Sequence, residues 1–318
     1  MMNKIKRYQL TLKCAGILVG LFISLNAVCQ QEAMYTQNNF DRLTYNPAYA
    51  GSGGWIVTSL KHRSQFIGME GAPNTQIITF HAPWQVKSMG FGSKIINDHL
   101  GATSNFSLTG IYAYHMGLGK GKLSVGIEGG FFSQTIDFVS LYRIDKIDNA
   151  IPPAKSSVFR PDASFGLQFQ TNNYFVGLSI VHLFGGKLNF TEDRDITARL
   201  RKHYFFSGGI VKDIGKNLSI QPCFLIKKVS GSSTQMDVYV NTIFMDKYTL
   251  GIGYRTSDAM TFSIKYHITD AIRVSYSYDH RISTIAKYSS GAHEILIRYG
   301  IKLLPPQQIK EINPRYYF

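Results

Sequence analysis

The residues with the chemistry to bind a metal or catalyse a reaction are nine histidines, a few adjacent acid–histidine pairs and many serines. Two ligands on one helix face would need His-x-x-x-His or His-Glu-x-x-His spacing, and no pair of histidines in the chain has it. Asp279-His280 and His293-Glu294 are adjacent in sequence. In a strand, neighbouring side chains leave opposite faces, so neither pair closes on one ion. A Ser/His/Asp relay assembled across neighbouring strands is the remaining catalytic option. No serine has a nucleophile-elbow context. The chain therefore reads as a non-enzyme, with no cofactor and no metal centre expected.

These groups are carried on segments of about ten residues in which apolar and polar side chains alternate, the signature of strands with two different faces. Met260, Phe262, Ile264 and Tyr266 alternate with Thr261, Ser263, Lys265 and His267. Tyr248, Leu250, Ile252 and Tyr254 alternate in the same way with Thr249, Gly251, Gly253 and Arg255. No segment of helical period competes. Composition agrees: of 318 residues, 13% are aromatic and only 17% charged, which excludes disorder and a coiled coil. After the first thirty positions no apolar run of about 20 residues remains, which excludes a helical membrane bundle.

Fourteen such segments are expected as strands, starting near Trp55, Thr75, Met89, Asn105, Lys122, Ala163, Tyr174, Tyr204, Leu218, Gln235, Tyr248, Met260, Ile272 and Glu294. An even count suits a bacterial outer-membrane β-barrel, which places short turns in the periplasm and long loops outside. With the first strand running outward, the even-numbered connections should be short. Gly117–Gly121, Thr171–Asn173, Lys212–Asn217, Met245–Lys247 and Thr269-Asp270 all are, whereas the two longest, Asp137–Pro161 and Phe184–Lys202, are odd-numbered. Pro222 removes a ladder hydrogen bond and predicts an edge-like or bulged site.

Lysine or arginine on the lipid face at mid-membrane costs roughly 2–4 kcal/mol. The Tyr/Ile/Leu/Phe faces must therefore point outward and the Lys265, Arg273 and Asp279 faces inward. Tyr248, Tyr254, Tyr266, Tyr278 and Tyr299 fall near strand ends, where aromatic girdles sit. A soluble β-sandwich also alternates but has no need of terminal tyrosines. The fold expected is thus all-β, a transmembrane antiparallel barrel of about 14 strands over residues 55–301, in a Gram-negative outer membrane.

The flanks are read separately. Basic residues Lys4, Lys6, Arg7 and Lys13 precede an apolar run from Cys14 to Leu25 and small residues before Gln30, the order of a signal peptide over 1–29. A lipoprotein site at Cys29 is the alternative. Cleavage takes four of the 34 basic residues and none of the 20 acidic ones, so the net charge falls from +14 to +10. Cys223 alone then remains, and no intrachain disulfide forms. Residues 30–54 are expected as an irregular periplasmic or capping segment and 302–318 as a periplasmic tail, stopped by Pro305-Pro306.

Particular runs carry a resemblance. Asn46-Pro47-Ala48-Tyr49-Ala50-Gly51, then Arg63-Ser64-Gln65-Phe66 and Gly71-Ala72-Pro73-Asn74-Thr75-Gln76, resemble the PorP/SprF family of type IX secretion system outer-membrane proteins of Bacteroidetes. Gly253-Tyr254-Arg255, Tyr276 to Asp279 and Gly291-Ala292-His293-Glu294 continue it, with Ala292 where the family more often has Ser. The resemblance runs from about Gln37 to Tyr299. It implies a non-enzymatic barrel working with the secretion apparatus, its partners the periplasmic ring proteins or a large secreted adhesin, with roles in export, surface attachment or gliding motility. The positions it marks as structural or partner-facing are Asn46, Pro47, Ala48, Tyr49, Gly51, Gln65, Gly71, Ala72, Pro73, Gln76, Tyr254, Arg255, Asp279, His293 and Glu294.

The inward charges Glu128, Asp237, Lys265, Arg273, Asp279, Glu294 and Arg298 are of both signs, and opposite charges on adjacent strands are expected to pair along the lumen wall. A single-sign ring would argue for an ion-selective pore. The mixture argues instead for a lumen filled by side chains, loops or the segment Gln30–Gly54; a passive porin is the alternative. The basic balance does not read as nucleic-acid binding, because no basic stripe with interleaved aromatics occurs in one element. Lys146, Lys155, Arg160, Arg194, Arg199, Arg201 and Lys202 gather in the long loops, where an acidic partner or anionic lipid headgroups would meet them.

Overall fold

The computed structural model describes residues 35–84, 88–140, 154–190 and 197–303. The expected signal peptide, the tail from residue 304, Lys146 and Arg194 lie outside the described residues. Seven strands come first: β1 (Trp55–Ser64), β2 (Asn74–Trp84), β3 (Met89–Leu100), β4 (Thr103–Leu118), β5 (Gly121–Asp137), β6 (Lys155–Gln170) and β7 (Tyr174–Val181). A short hairpin, β8 (Gly186–Asn189) and β9 (Thr197–Leu200), interrupts the series. Then follow β10 (His203–Ile210), β11 (Lys212–Gly215), β12 (Leu218–Val229), β13 (Gln235–Phe244), β14 (Tyr248–Arg255), β15 (Ala259–His267), β16 (Ile272–Arg281) and β17 (Ala292–Lys302).

Fourteen of these form a closed antiparallel barrel in which each strand pairs with its neighbour in sequence and β1 closes on β17, Trp55 opposite Lys302. Thirteen start within two residues of the positions expected from the alternation. The exception is β6, which begins at Lys155 opposite Asp137, so residues 155–161 of the expected loop belong instead to a tall β5–β6 ribbon. Pro161 is tolerated there for a local reason. β6 pairs with β7 only over Phe165–Gln170, and Leu183 N–H donates to the Ala163 carbonyl, so at Pro161, two residues on, the missing N–H faces an open edge. Pro222 shows the expected break: the β10–β12 ladder stops at Gly209–Cys223 and resumes as β11 at Lys212–Ile220.

The two faces separate by polarity. Along β14 Thr249 and Arg255 are buried, while Leu250, Ile252 and Tyr254 face out, Ile252 being 60% exposed. Turn lengths orient the barrel, because short turns belong to the periplasm. The tight turns, such as Met245–Lys247 with positive φ at Met245 and Asp246, therefore mark the periplasmic end. The opposite, outer end carries the long connections; of its turns, Gly101-Ala102 and Thr256–Asp258 are short. Stacked Tyr248 and Tyr266, 5.1 Å apart, sit at the periplasmic end. At the outer end the edge of the apolar band on β4–β6 is a phenylalanine ladder, Phe106–Phe131–Phe159, with centroids 6.1 and 4.8 Å apart. Beyond Phe131 the outward face of β5 continues as Ser133, Thr135 and Asp137, polar residues suited to water above the membrane.

Candidate functional site

The lumen is filled by the chain itself. Residues 35–54 thread it as three short 3-10 turns, Gln37–Asn39, Arg42–Thr44 and Pro47–Tyr49, and nearly every residue from Gln37 to Ser52 is buried. The segment begins beside the outer ends of β1, β14, β16 and β17 and reaches the periplasmic end at Gly51, next to Pro83 and Gly90. It is a plug through the barrel rather than a cap on its rim.

Its inner anchor is the Asn46–Gly51 run. Asn46 caps the third turn, its Oδ1 accepting from Ala48 N–H at 3.0 Å, and Pro47 follows at the position where a missing N–H costs nothing. Asn46 Nδ2 donates to the Leu167 carbonyl at 3.1 Å. The wall yields space here: a Cβ on Gly126 would lie 2.3 Å from Ala48 N, and one on Gly166 would lie 2.1 Å from Asn46 Oδ1. Gly51 has φ +67° and approaches Gly90 so closely that a Cβ would stand 2.6 Å from its Cα, so both conformation and space demand glycine. His115 bridges Ser124 Oγ at 2.7 Å and the Ala50 carbonyl at 3.0 Å, while Gly51 N–H donates to His81 Nδ1 at 3.2 Å. The guanidinium of Arg42 lies 3.6 Å over the ring of Phe175, a cation–π contact inside a dry packing of Leu43, Tyr49, Ile111 and Cys223.

The middle and outer anchors are ionic. Lys61 lies 3.6 Å from Asp41 and donates to Thr44 Oγ1 at 3.1 Å, and that hydroxyl donates to Asp41 Oδ2 at 3.0 Å. Burial alone would raise the Asp41 carboxyl; the charges of Lys61 and Arg298 and the Thr44 hydroxyl outweigh it and hold it below the usual carboxylate range. Lys94 pairs with Glu128 at 2.8 Å and donates to the Thr44 carbonyl. At the outer end Glu294 accepts Thr36 N–H at 2.8 Å and Gln37 N–H at 3.0 Å. Arg63, fully buried, joins Glu294 at 3.0 Å to Asp279 at 2.6 Å. Arg255 reaches Asp279 at 2.9 Å, Asp237 at 3.2 Å and the Thr36 hydroxyl at 3.1 Å. Lys227 completes the set on Asp237 at 2.8 Å. A buried network of this kind adds little net stability, but losing one member strands a charge at about 3–5 kcal/mol, so it specifies where the plug sits.

The residues marked from the sequence thus divide. Asn46, Pro47, Ala48, Tyr49 and Gly51 form the inner anchor; Arg255, Asp279, Glu294 and Asp237 form the outer one. Gln65, Gly71, Ala72 and Pro73 belong to the outer β1–β2 loop, closed by Gln65 N–H to the Pro73 carbonyl and tied to β3–β4 by Gly101 N–H to the Gly71 carbonyl, both at 2.9 Å. Gln76, Tyr254 and His293 face away from the lumen, His293 Nδ1 lying 2.5 Å from the Tyr276 hydroxyl. Opposite charges pair between adjacent strands as expected in Arg63–Glu294, Arg255–Asp237 and Lys227–Asp237, but pairs also cross a strand. Glu128 on β5 skips β4 to reach Lys94 on β3, because inward side chains converge on the plug. Lys265 stacks 4.5 Å over the Phe40 ring, Arg298 donates to the Phe40 carbonyl, and Arg273 lies on the same inner face of β16 as Asp279. Lys61, Lys94, Asp41, Arg42 and Thr36 escaped the sequence reading, and Arg63 entered it only within a family run, not as an inward charge. Lys61 and Arg63 alternate with Leu60 in β1, the signal that identifies an inward charge.

A family model described as type IX secretion system membrane protein PorP/SprF matches residues 27–299. No curated protein matches the sequence. Among solved structures, the Ralstonia pickettii toluene transporter TbuX aligns at TM-score 0.51 and 11% identity, covering 84% of this chain and 93% of that one. The CymD monoaromatic hydrocarbon channel aligns at TM-score 0.49 and 10% identity, covering 87% and 95%. At such identity the likeness is one of fold.

Proposed function

Because the chain belongs to the PorP/SprF family of type IX secretion system membrane proteins and folds as an outer-membrane barrel, we propose that it acts as a non-enzymatic, partner-binding accessory of that system. Membership implies interaction with the secretion machinery. The observation that carries the finer reading is the plug. A passive porin needs an open lumen, whereas here residues 35–54 fill it and are held at both ends. Such a barrel offers partners its loops and rims rather than a path for solutes. The partner class is a periplasmic ring protein of the apparatus or a large secreted adhesin, with export, surface attachment or gliding motility as the process served.

The test is affinity purification of the tagged protein from its native outer membrane in mild detergent, paired with conductance in planar bilayers. Co-elution of ring proteins or of an adhesin, with little conductance, supports the proposal and tells the two partner classes apart. A barrel that elutes alone and conducts steadily would replace it with the porin reading.

A further inference from the structure

Between the plug and the wall formed by β3 to β7 and β10 lies a cavity of about 250 Å³. Its lining extends from Lys94 and Glu128 within the lumen to Leu100 and Thr103 at the outer β3–β4 turn, and includes Leu188 and Leu200 of the β8–β9 hairpin. Of the plug, Tyr35 alone takes part among the described residues.

Two buried side chains in this lining, Asp162 and His203, and the half-buried Gln134 each carry a buried atom with no hydrogen-bond partner among the described residues: Asp162 Oδ1, His203 Nε2 and Gln134 Oε1. The character of each is set by its other end. His203 Nδ1 faces the Arg201 carbonyl at 2.9 Å, so Nδ1 carries a proton, and in the tautomer this bond selects Nε2 is an acceptor. Gln134 Nε2 donates to Asn105 Oδ1 at 2.9 Å, and Asn105 Nδ2 donates to Asp98 Oδ2 at 3.4 Å. The Asp98 carboxylate, which only accepts, orients both amides and leaves Gln134 Oε1 as an acceptor. Asp162 Oδ2 is taken by His182 Nδ1 at 2.5 Å, which leaves Oδ1. Every unpartnered buried atom of the lining is therefore an acceptor, and one belongs to a carboxylate. Lys94 neutralises Glu128, but among the described residues neither Asp98 nor Asp162 is bridged by a lysine or arginine.

A ligand that completes this site must bring a donor, best a charged one, to Asp162 Oδ1; Gln134, opposite Val158, stands four residues further along β5 than Gly130, the partner of Asp162, and would be met by a separate contact. The remaining lining, with Ile96, Phe132, Val181, Leu188 and Leu200, is apolar and suits a hydrocarbon stem. We propose that the cavity binds a primary ammonium on an aliphatic chain, the chemistry of a lysine side chain or of a free alkylamine. An ammonium has donors and no acceptor and carries the charge that suits the unpartnered carboxylate oxygen of Asp162. The volume lies below the roughly 300–1,000 Å³ of pockets for drug-sized ligands, which limits the occupant to about one long side chain.

The experiment uses the full-length barrel in detergent micelles, titrated by calorimetry with n-pentylamine, with Nα-acetyl-lysine methylamide, and with n-pentanol as the uncharged control. Saturable amine binding at least about tenfold tighter than pentanol is expected, the discrimination a charge-assisted bond supplies. Tighter binding of blocked lysine than of pentylamine assigns the site to a polypeptide side chain, and the reverse assigns it to a free amine. Asp162→Asn should weaken amine binding about tenfold or more. Leu188→Trp, on the hairpin outside the barrel wall, should weaken it by filling the stem space, and provides the test if Asp162→Asn does not fold; heat-modifiable migration on gels reports folding. No amine binding, equal affinity for pentanol and pentylamine, or unchanged affinity in the folded variants would overturn the proposal.

Discussion

Glu294→Ala should free the outer end of the plug and leave its inner end in place. The carboxylate accepts two backbone N–H groups, from Thr36 at 2.8 Å and Gln37 at 3.0 Å, and both are lost with it. Hydrogen bonds to a charged group contribute about 1.5–3 kcal/mol each, so the lower bound for the pair is about 3 kcal/mol. At about 1.4 kcal/mol per tenfold, amide exchange at Thr36 and Gln37 should accelerate about a hundredfold. Two contacts limit the effect, since Thr36 Oγ1 still donates to Asp279 at 2.6 Å and Gln37 Nε2 to the residue 294 carbonyl at 2.8 Å. Gly51 N–H, bonded to His81 Nδ1 some fifteen residues along, should keep its protection. Hydrogen exchange read by mass spectrometry on peptides covering 35–40 and 47–53 separates the two ends. Unchanged exchange at 36–37 would refute the outer anchor, and equal acceleration at both ends would show that the plug moves as one body.

Other perturbations act at different levels of the same structure. Gly126→Val places a Cβ 2.3 Å from Ala48 N, and because backbone cannot yield as a side-chain tip does, the inner anchor should be expelled; a rise in single-channel conductance would report it. Asp41 is held below its ordinary pKa in the docked plug, so its contribution to docking is complete above the free carboxylate value of 3.8 and is lost as pH falls through the lowered one. Acidification below about pH 4 should therefore raise exchange at 40–45, and Asp41→Asn should remove that dependence. Ile252→Lys, at an exposed position midway along β14, should destabilise the folded barrel by about 2–4 kcal/mol in a urea titration into lipid vesicles, whereas the same change at a loop position should not.

The barrel was legible because alternation is local. Eight residues such as Tyr248 to Arg255 contain both faces and their ends, and no distant partner is needed to interpret them. Lys155 to Asp162 failed the same test, since Pro161 reads as a strand breaker unless one knows that β7 is absent on that side. The plug was harder to read for a different reason. Residues 35–54 have neither strand nor helix period, and their meaning lies in distant wall positions: Gly126 and Gly166 become significant only once Asn46 to Ala48 stand where their side chains would be. A charged residue is equally mute about its partner. Alternation with Leu60 places Lys61 and Arg63 inside the barrel, but not that one meets Asp41 of the plug and the other joins β16 to β17.

The direction in which the plug threads the lumen decides how it could open. It starts at Thr36 near the outer mouth, descends to Gly51 at the periplasmic end, and there turns directly into β1, which climbs back out to Arg63 beside Thr36. The inner end is thus tied covalently within a few residues to a strand hydrogen-bonded on both sides, to β2 and to β17. Among the described residues the outer end is held mainly by polar contacts, concentrated on Arg63, Arg255, Asp279 and Glu294. Removing one of those four side chains should therefore loosen residues 36–37 first, while the Asn46–Gly51 anchor, tied through the chain to β1 and bonded to His81 and His115, keeps its protection.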